Sequence, residues 1–278
     1  MRALIRGRHG YALPAYPYVA WMGLFVVIPI ILVVVYAFSN SAGNITFENF
    51  SGMGDYAGVF ARSLYLAFIA TVICLVIGYP VSYVLSKSGP GLQRIAMMLV
   101  MLPMWINFLL RTYAWMSLLE NTGLINRLLI LLGLPTMNII NTQGAVVLGM
   151  VYNYLPFMIL PIYSVIVKID KSVIEAAQDL GANSVTVFRK VILPLSISGV
   201  ISGITMVFVP SVSTFIISKL LGGGTNILLG DLIEMQFLGS AYNPHLGSAI
   251  SLIMMIIVII CMSVMNRFGE GEEQAVML

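Results

Sequence analysis

The stretch Lys171–Pro194, KSVIEAAQDLGANSVTVFRKVILP, is the longest polar-bearing interruption in an otherwise apolar chain, and it carries Lys171, Glu175, Asp179, Arg189 and Lys190. Nothing in the sequence completes a reaction centre around these charges. There is no HExxH, Walker A, GxSxG or paired-cysteine motif, and the two histidines, His9 and His245, are far apart. Cys74 and Cys261 lie inside apolar runs, where a cysteine behaves as a small apolar residue, so neither a disulfide nor a metal site is expected. No catalytic residue, metal ligand or nucleotide site is assigned. The other residues with chemistry to offer are Arg111, set among Trp105, Asn107, Tyr113 and Trp115, and the carboxylates Asp231 and Glu234, three apart in a mostly apolar segment.

The elements that position these residues follow from spacing. Lys171–Pro194 reads as two short helices joined by a turn. Ser172 and Glu175 have the separation of a capping box. Val173, Ala176, Ala177 and Leu180 recur three and four apart and form one apolar face. Gly181 stands where a helix end needs a left-handed backbone. Ser184 caps a second helix, Val185–Val191, and Pro194 opens the next apolar run. The same features also describe a plain surface hairpin in which Glu175 serves only as a cap.

The chain has 278 residues, of which 59% are hydrophobic and 9% charged. Ordinary soluble domains carry roughly 25% charged residues, so this is the composition of a multi-span membrane protein. A net charge of +3 gives no case for nucleic acid. Six apolar runs, at about 17–38, 63–86, 95–119, 143–167, 195–218 and 245–266, are each long enough to span about 30 Å of hydrocarbon as a helix. A signal peptide is the alternative for the first, but its apolar core would be shorter and end at a small-residue cleavage site. Residues 1–16 form a short basic segment, 125–132 an amphipathic piece, 168–194 the polar loop and 267–278 an acidic, loosely ordered tail. Gly199-x-x-x-Gly203 suits close helix packing. With the N-terminus inside, the inner loops hold Arg2, Arg6, Arg8, Lys87, Arg94, Lys168, Lys171, Arg189, Lys190 and Arg267, against Arg62, Arg127 and Lys219 outside. This bias predicts that both termini and the 168–194 loop are cytoplasmic.

Glu175-Ala176-Ala177, three residues, Gly181, nine residues and then Val191-Ile192-Leu193-Pro194 resembles the EAA loop of ABC-importer permeases, with valine where the family pattern has isoleucine. GYPVSYVLSK at 78–87, LPMWINFLLRTYAW at 102–115, YNYLPFMILPIYSVIVKID at 152–170 and LLGGGTNILLGDLIEMQFL at 220–238 are similar to the B-type permease subunits of spermidine/putrescine importers. The resemblance implies an all-α, polytopic protein with the six-helix type I ABC-importer permease fold, in a bacterial cell membrane. Glu175, Ala176, Ala177, Gly181, Leu193 and Pro194 would then belong to a cytoplasmic coupling helix that docks on an ATPase. It also implies a second, related permease subunit, two ATPase subunits that bind the ATP and magnesium, and an external polyamine-binding protein. This chain itself would hold no cofactor and have no ATPase activity.

A charge at a helix centre costs roughly 2.5–3.5 kcal/mol on insertion scales, so Arg111 faces protein or water, or reaches the outer interface beside Tyr113 and Trp115. A lone arginine repels a polycation, which favours a bracing role over direct contact. Trp105, Asn107 and Tyr113 either belong to an interface belt or offer a cation dipoles and π faces. Outside the cytoplasm the acids are Glu48, Asp55, Glu120, Asp231 and Glu234. Asp231 and Glu234 either form a solvated face or receive the cation. The reading that follows is a permease subunit of an ATP-driven polyamine importer. A permease for another small solute and an ion-coupled transporter are the rivals.

Overall fold

The computed structural model describes residues 16–239 and 241–276. Arg2, Arg6, Arg8 and His9, in the basic segment, and the last two residues of the tail lie outside them. Among the described residues the chain is helical, with one isolated bridge between Ser39 and Ile45. We number the helices α1 (Tyr16–Ala37), α2 (Ala57–Lys87), α3 (Pro90–Trp105), α4 (Phe108–Leu119), α5 (Leu124–Leu131), α6 (Gln143–Ile166), α7 (Lys171–Asp179), α8 (Ser184–Leu195), α9 (Ile197–Ser213), α10 (Ile216–Leu221), α11 (Leu229–Phe237) and α12 (Pro244–Val276). Four stretches are long and apolar enough to cross a membrane: Tyr16–Ala37, Met53–Lys87, Gln143–Ile166 and Pro244–Met265. Two bent pairs bring the number to six if each is one crossing. Pro90–Trp105 and Phe108–Leu131 meet at 91°, Ser184–Leu195 and Ile197–Ser213 at 61°.

Both bends have local causes. Within 95–119, Pro103 removes a backbone donor near the end of α3. Two residues beyond the end of α3, the Asn107 side chain accepts from the amides of Leu109 and Leu110, at 2.8 and 3.4 Å, and starts α4 in a new direction. Within 195–218, α9 begins only after Ser196, and it stops at Ser213 because Thr214 is extended, with φ −66° and ψ 140°. Helix α12 runs on through the acidic tail to Val276.

The described chain forms two compact units. In the larger, Ala57–Leu232 with the end of α12, helices α2, α6 and α9 pack pairwise around Leu66, Cys74, Met150, Met158, Ile162 and Val207. Gly199 and Gly203 make the α6–α9 approach possible. A Cβ on the first would lie 2.9 Å from the Pro161 carbonyl oxygen, and one on the second 2.8 Å from Met158 Sδ. The smaller unit comprises the chain up to Tyr56 and Ile233–Ile256. Its core is Ala37, Ala249 and Leu252. His245 ties the start of α12 to the end of α1, with Nδ1 3.2 Å from the Tyr36 carbonyl oxygen and 3.3 Å from Ser39 Oγ.

Candidate functional site

Two places in the larger unit concentrate the residues singled out by sequence. The first is the α7–α8 hairpin. Its N-cap is Asp170 rather than Ser172: the Asp170 carboxylate accepts from the Ser172 amide at 3.0 Å. Those bonds, to the amide first and to the Ser172 hydroxyl second, hold the Asp170 carboxyl below its ordinary value of 3.8. The expected capping box is therefore absent. An ionised acceptor one position before the helix takes the amide, and Glu175 is left exposed. Gly181 has φ +83°, its amide donating to Gln178 O at 2.8 Å and that of Ala182 to Ala177 O at 3.1 Å. This is the paired bonding of a Schellman ending. Asn183, not Ser184, caps α8, its side chain accepting from Thr186 N at 2.9 Å. Helix α8 continues beyond Val191, through a π-helical turn at Phe188–Ile192, to Leu195.

The hairpin is anchored on one side and bare on the other. Ile174 and Ala177 turn onto the core, whereas Val173, Ala176 and Leu180, expected on the same apolar face as Ala177, point away from it, Leu180 with 89% of its surface exposed. A helix with apolar residues on two faces buries one and presents the other. Helix α8 is fixed through Phe188, whose ring meets Tyr79 and Tyr83 of α2 edge-on at 5.8 and 5.1 Å. At the 61° bend, buried Ser196 shares a hydrogen bond with Tyr79 at 2.8 Å. Leu193 and Pro194 lie just before that bend, on the segment joining hairpin to span.

The second place lies where α4 packs against α6 and α10, just past the end of α9. Asn107 is committed to capping α4, and Trp105, at the end of α3, is 81% exposed. Tyr113 is also exposed. Arg111 is half-buried, its guanidinium 5.9 Å from the Phe108 ring, and among the described residues no acceptor reaches its buried Nε and Nη1. The Tyr154 hydroxyl reaches from α6 to the end of α9. That hydroxyl donates to the Pro210 carbonyl at 3.4 Å. In an unbroken helix the same carbonyl would accept from the Thr214 amide. Tyr154 and Thr214 were not singled out by sequence; within YNYLP, Tyr154 carried no signal beyond the run itself. Gly230 allows α11 to start against the Ser213 and Thr214 carbonyls. Asp231 is 7% exposed and accepts from Leu228 N at 2.8 Å, so it does not belong to a solvated face. Glu234, half-buried, belongs to the smaller unit and is not part of this place.

The family described as binding-protein-dependent transport system inner membrane component matches residues 75–270. This chain belongs to that family. The permease is 42% identical over 243 residues to the spermidine/putrescine transport system permease protein PotB of Haemophilus influenzae, covering 84% of this chain and 85% of that protein. To PotB of Escherichia coli K12 it is 36% identical over 249 residues, 86% of this chain and 90% of that one. The fold matches the crystal structure of a bacterial ABC transporter that imports the acidic polysaccharide alginate, with TM-score 0.82 at 16% identity, over 97% of this chain and 99% of the other. The methionine transporter MetNI is a further fold match, at TM-score 0.60. The permease is thus a multi-pass inner-membrane transport component with an ABC-importer fold.

Proposed function

We propose that the permease is one of two related membrane subunits of an ATP-driven importer of polyamines, spermidine and putrescine. The observation that carries this reading is the similarity to PotB from two species over most of both chains. The subunit hydrolyses no ATP itself. It works with two ATPase subunits, a second permease and an external polyamine-binding protein. The bare face of Val173, Ala176 and Leu180, beside Glu175, docks on the ATPase, as the exposure of these apolar side chains supports.

Movement of the hairpin then reaches the membrane helices through two contacts. Phe188 presses on Tyr79 and Tyr83 of α2, and Ser196 links the α8–α9 bend to Tyr79. Helix α9 carries the motion to the break at Thr214, beside Tyr154 and Arg111. Irregular backbone at such breaks is tolerated where it lines a cavity, and paired broken helices mark substrate paths in transporters. Arg111 braces this path rather than binding the cation, whereas Trp105 and Tyr113 offer π faces, and Asn107, whose side-chain oxygen caps α4, sets the bend. Asp231 and Glu234 supply negative potential on α11.

The test is reconstitution with the ATPase, second permease and binding protein encoded beside this chain. ATP-dependent uptake of labelled spermidine and putrescine is expected. ATP-dependent uptake of a different solute only, or uptake driven by an ion gradient without the ATPase, overturns the assignment.

A further inference from the structure

A cavity of about 340 Å³ opens where α4 ends, α6 begins and α10 ends, on the face that the charge bias places outside. Its polar lining comes from Glu120, Asn121, Thr122 and Asn141, and Met116, Ile140 and Leu220 give it an apolar wall. The rim is held rigidly. Buried Asn126 donates to the carbonyls of Glu120 and Met137, at 3.3 and 3.0 Å, and accepts from Met137 N at 2.8 Å. Arg127 Nε donates to the Thr122 carbonyl at 3.0 Å, fixing the turn that carries Asn121 and Thr122.

Asn141 is the one non-glycine residue with positive φ among those described, at 65°. Its amide donates to Leu221 O at 2.8 Å and its carbonyl accepts from Asn226 Nδ2 at 3.1 Å. A Cβ on Gly223 would collide with the Asn141 amide oxygen. Asn adopts this left-handed conformation readily, and the two bonds fix Asn141 at the wall of the polar cavity.

We propose that this cavity receives one ammonium group of the polyamine, with its first methylenes, before the cation passes into the path. This rests on the polyamine reading of the permease. The Glu120 carboxylate supplies the charge-assisted hydrogen bond, and the amide and hydroxyl oxygens replace the ammonium's remaining water. The apolar wall covers the methylenes. The site lies just past the C-terminal end of α4, the helix that carries Arg111, so the carboxylate meets the polycation ahead of that guanidinium and offsets the Arg127 charge tied to the Thr122 carbonyl at the rim.

The experiment titrates spermidine into the purified permease–ATPase complex, without binding protein, in lipid nanodiscs, and measures the uptake KM of the full system. Glu120→Gln should weaken binding and raise KM about tenfold, the effect of losing one hydrogen bond to a charged group. Glu120→Asp should restore part of the loss. 1,4-Butanediol, which has the putrescine carbon chain without its charges, should not compete. Recovery of the ATPase with each variant checks folding, and Asn141→Ala gives a second, uncharged lesion if Glu120→Gln does not assemble. Wild-type affinity and KM in Glu120→Gln, or in Asn141→Ala when it stands in, overturn the site even if the complex imports spermidine. Import of another solute with no spermidine binding would instead remove the polyamine reading and the site together.

Discussion

Gly181 is required by its backbone rather than by its surroundings. Its φ is +83°, and nothing lies within 4 Å of where a side chain would start. Gly181→Val should therefore leave membrane insertion intact and abolish uptake, while Gly181→Asn, which tolerates the left-handed region, should keep a measurable fraction of it. Equal uptake in both variants would remove the turn from the coupling mechanism. Asp170 is a second residue whose role is local. Its carboxyl titrates below its ordinary value, so the cap contributes stability above about pH 3.8 and loses it as pH falls through the lowered value. Asp170→Ala should speed hydrogen exchange of the first α7 amides at neutral pH, whereas Asp170→Asn, which keeps an acceptor, should not. In strong acid, where Asp170 keeps only a neutral carbonyl acceptor, wild type should approach Asp170→Asn.

At the scale of elements, the three-helix core depends on how closely α9 lies on α6. Gly199 sits 2.9 Å, Cβ to oxygen, from a backbone carbonyl that cannot rotate away. Gly199→Leu should lower the melting midpoint of the purified permease by several degrees, given that overpacking typically costs about 1–3 kcal/mol. Substitution of Gly58, which has open space around it, should cost much less. An unchanged midpoint for Gly199→Leu would mean that α6 and α9 do not pack as described. The broken spans belong to this scale too. Pro103 and the Asn107 cap end one helix and start another, and Tyr154 holds the Pro210 carbonyl that a continuous α9 would use.

For the whole molecule the testable property is its orientation in the membrane. Ten cations on one side against three on the other predict cytoplasmic termini and a cytoplasmic α7–α8 hairpin. Ile45, 86% exposed in the loop after α1, and Ser184, at the start of α8, are suitable labelling positions once Cys74 and Cys261 are replaced by alanine. An impermeant thiol reagent should modify Ile45→Cys in intact cells and Ser184→Cys only after permeabilisation. The reverse pattern would place the hairpin outside the cell and leave no ATPase for it to engage.

The sequence by itself determined the membrane class, the polar hairpin and the turn at Gly181. Each rests on composition or on local spacing: hydrocarbon thickness sets the length of apolar runs, and a left-handed ending selects glycine. The six-run count did not reveal the breaks at Ile106–Asn107 and Thr214, because hydropathy is blind to where a carbonyl finds its partner. The hairpin's inner face was misread for a related reason. Val173, Ala176, Ala177 and Leu180 share a helical stripe, but contact with Phe188, Ile192 and the core decides that Ala177 and Ile174 turn inward. For Asp231 the sequence leaves both a solvated face and a cation-receiving carboxylate open; α11 begins against the α9–α10 break, where burial and the Leu228 amide remove the solvated face. Tertiary structure decided these points because burial and hydrogen-bond partnership depend on residues distant in sequence.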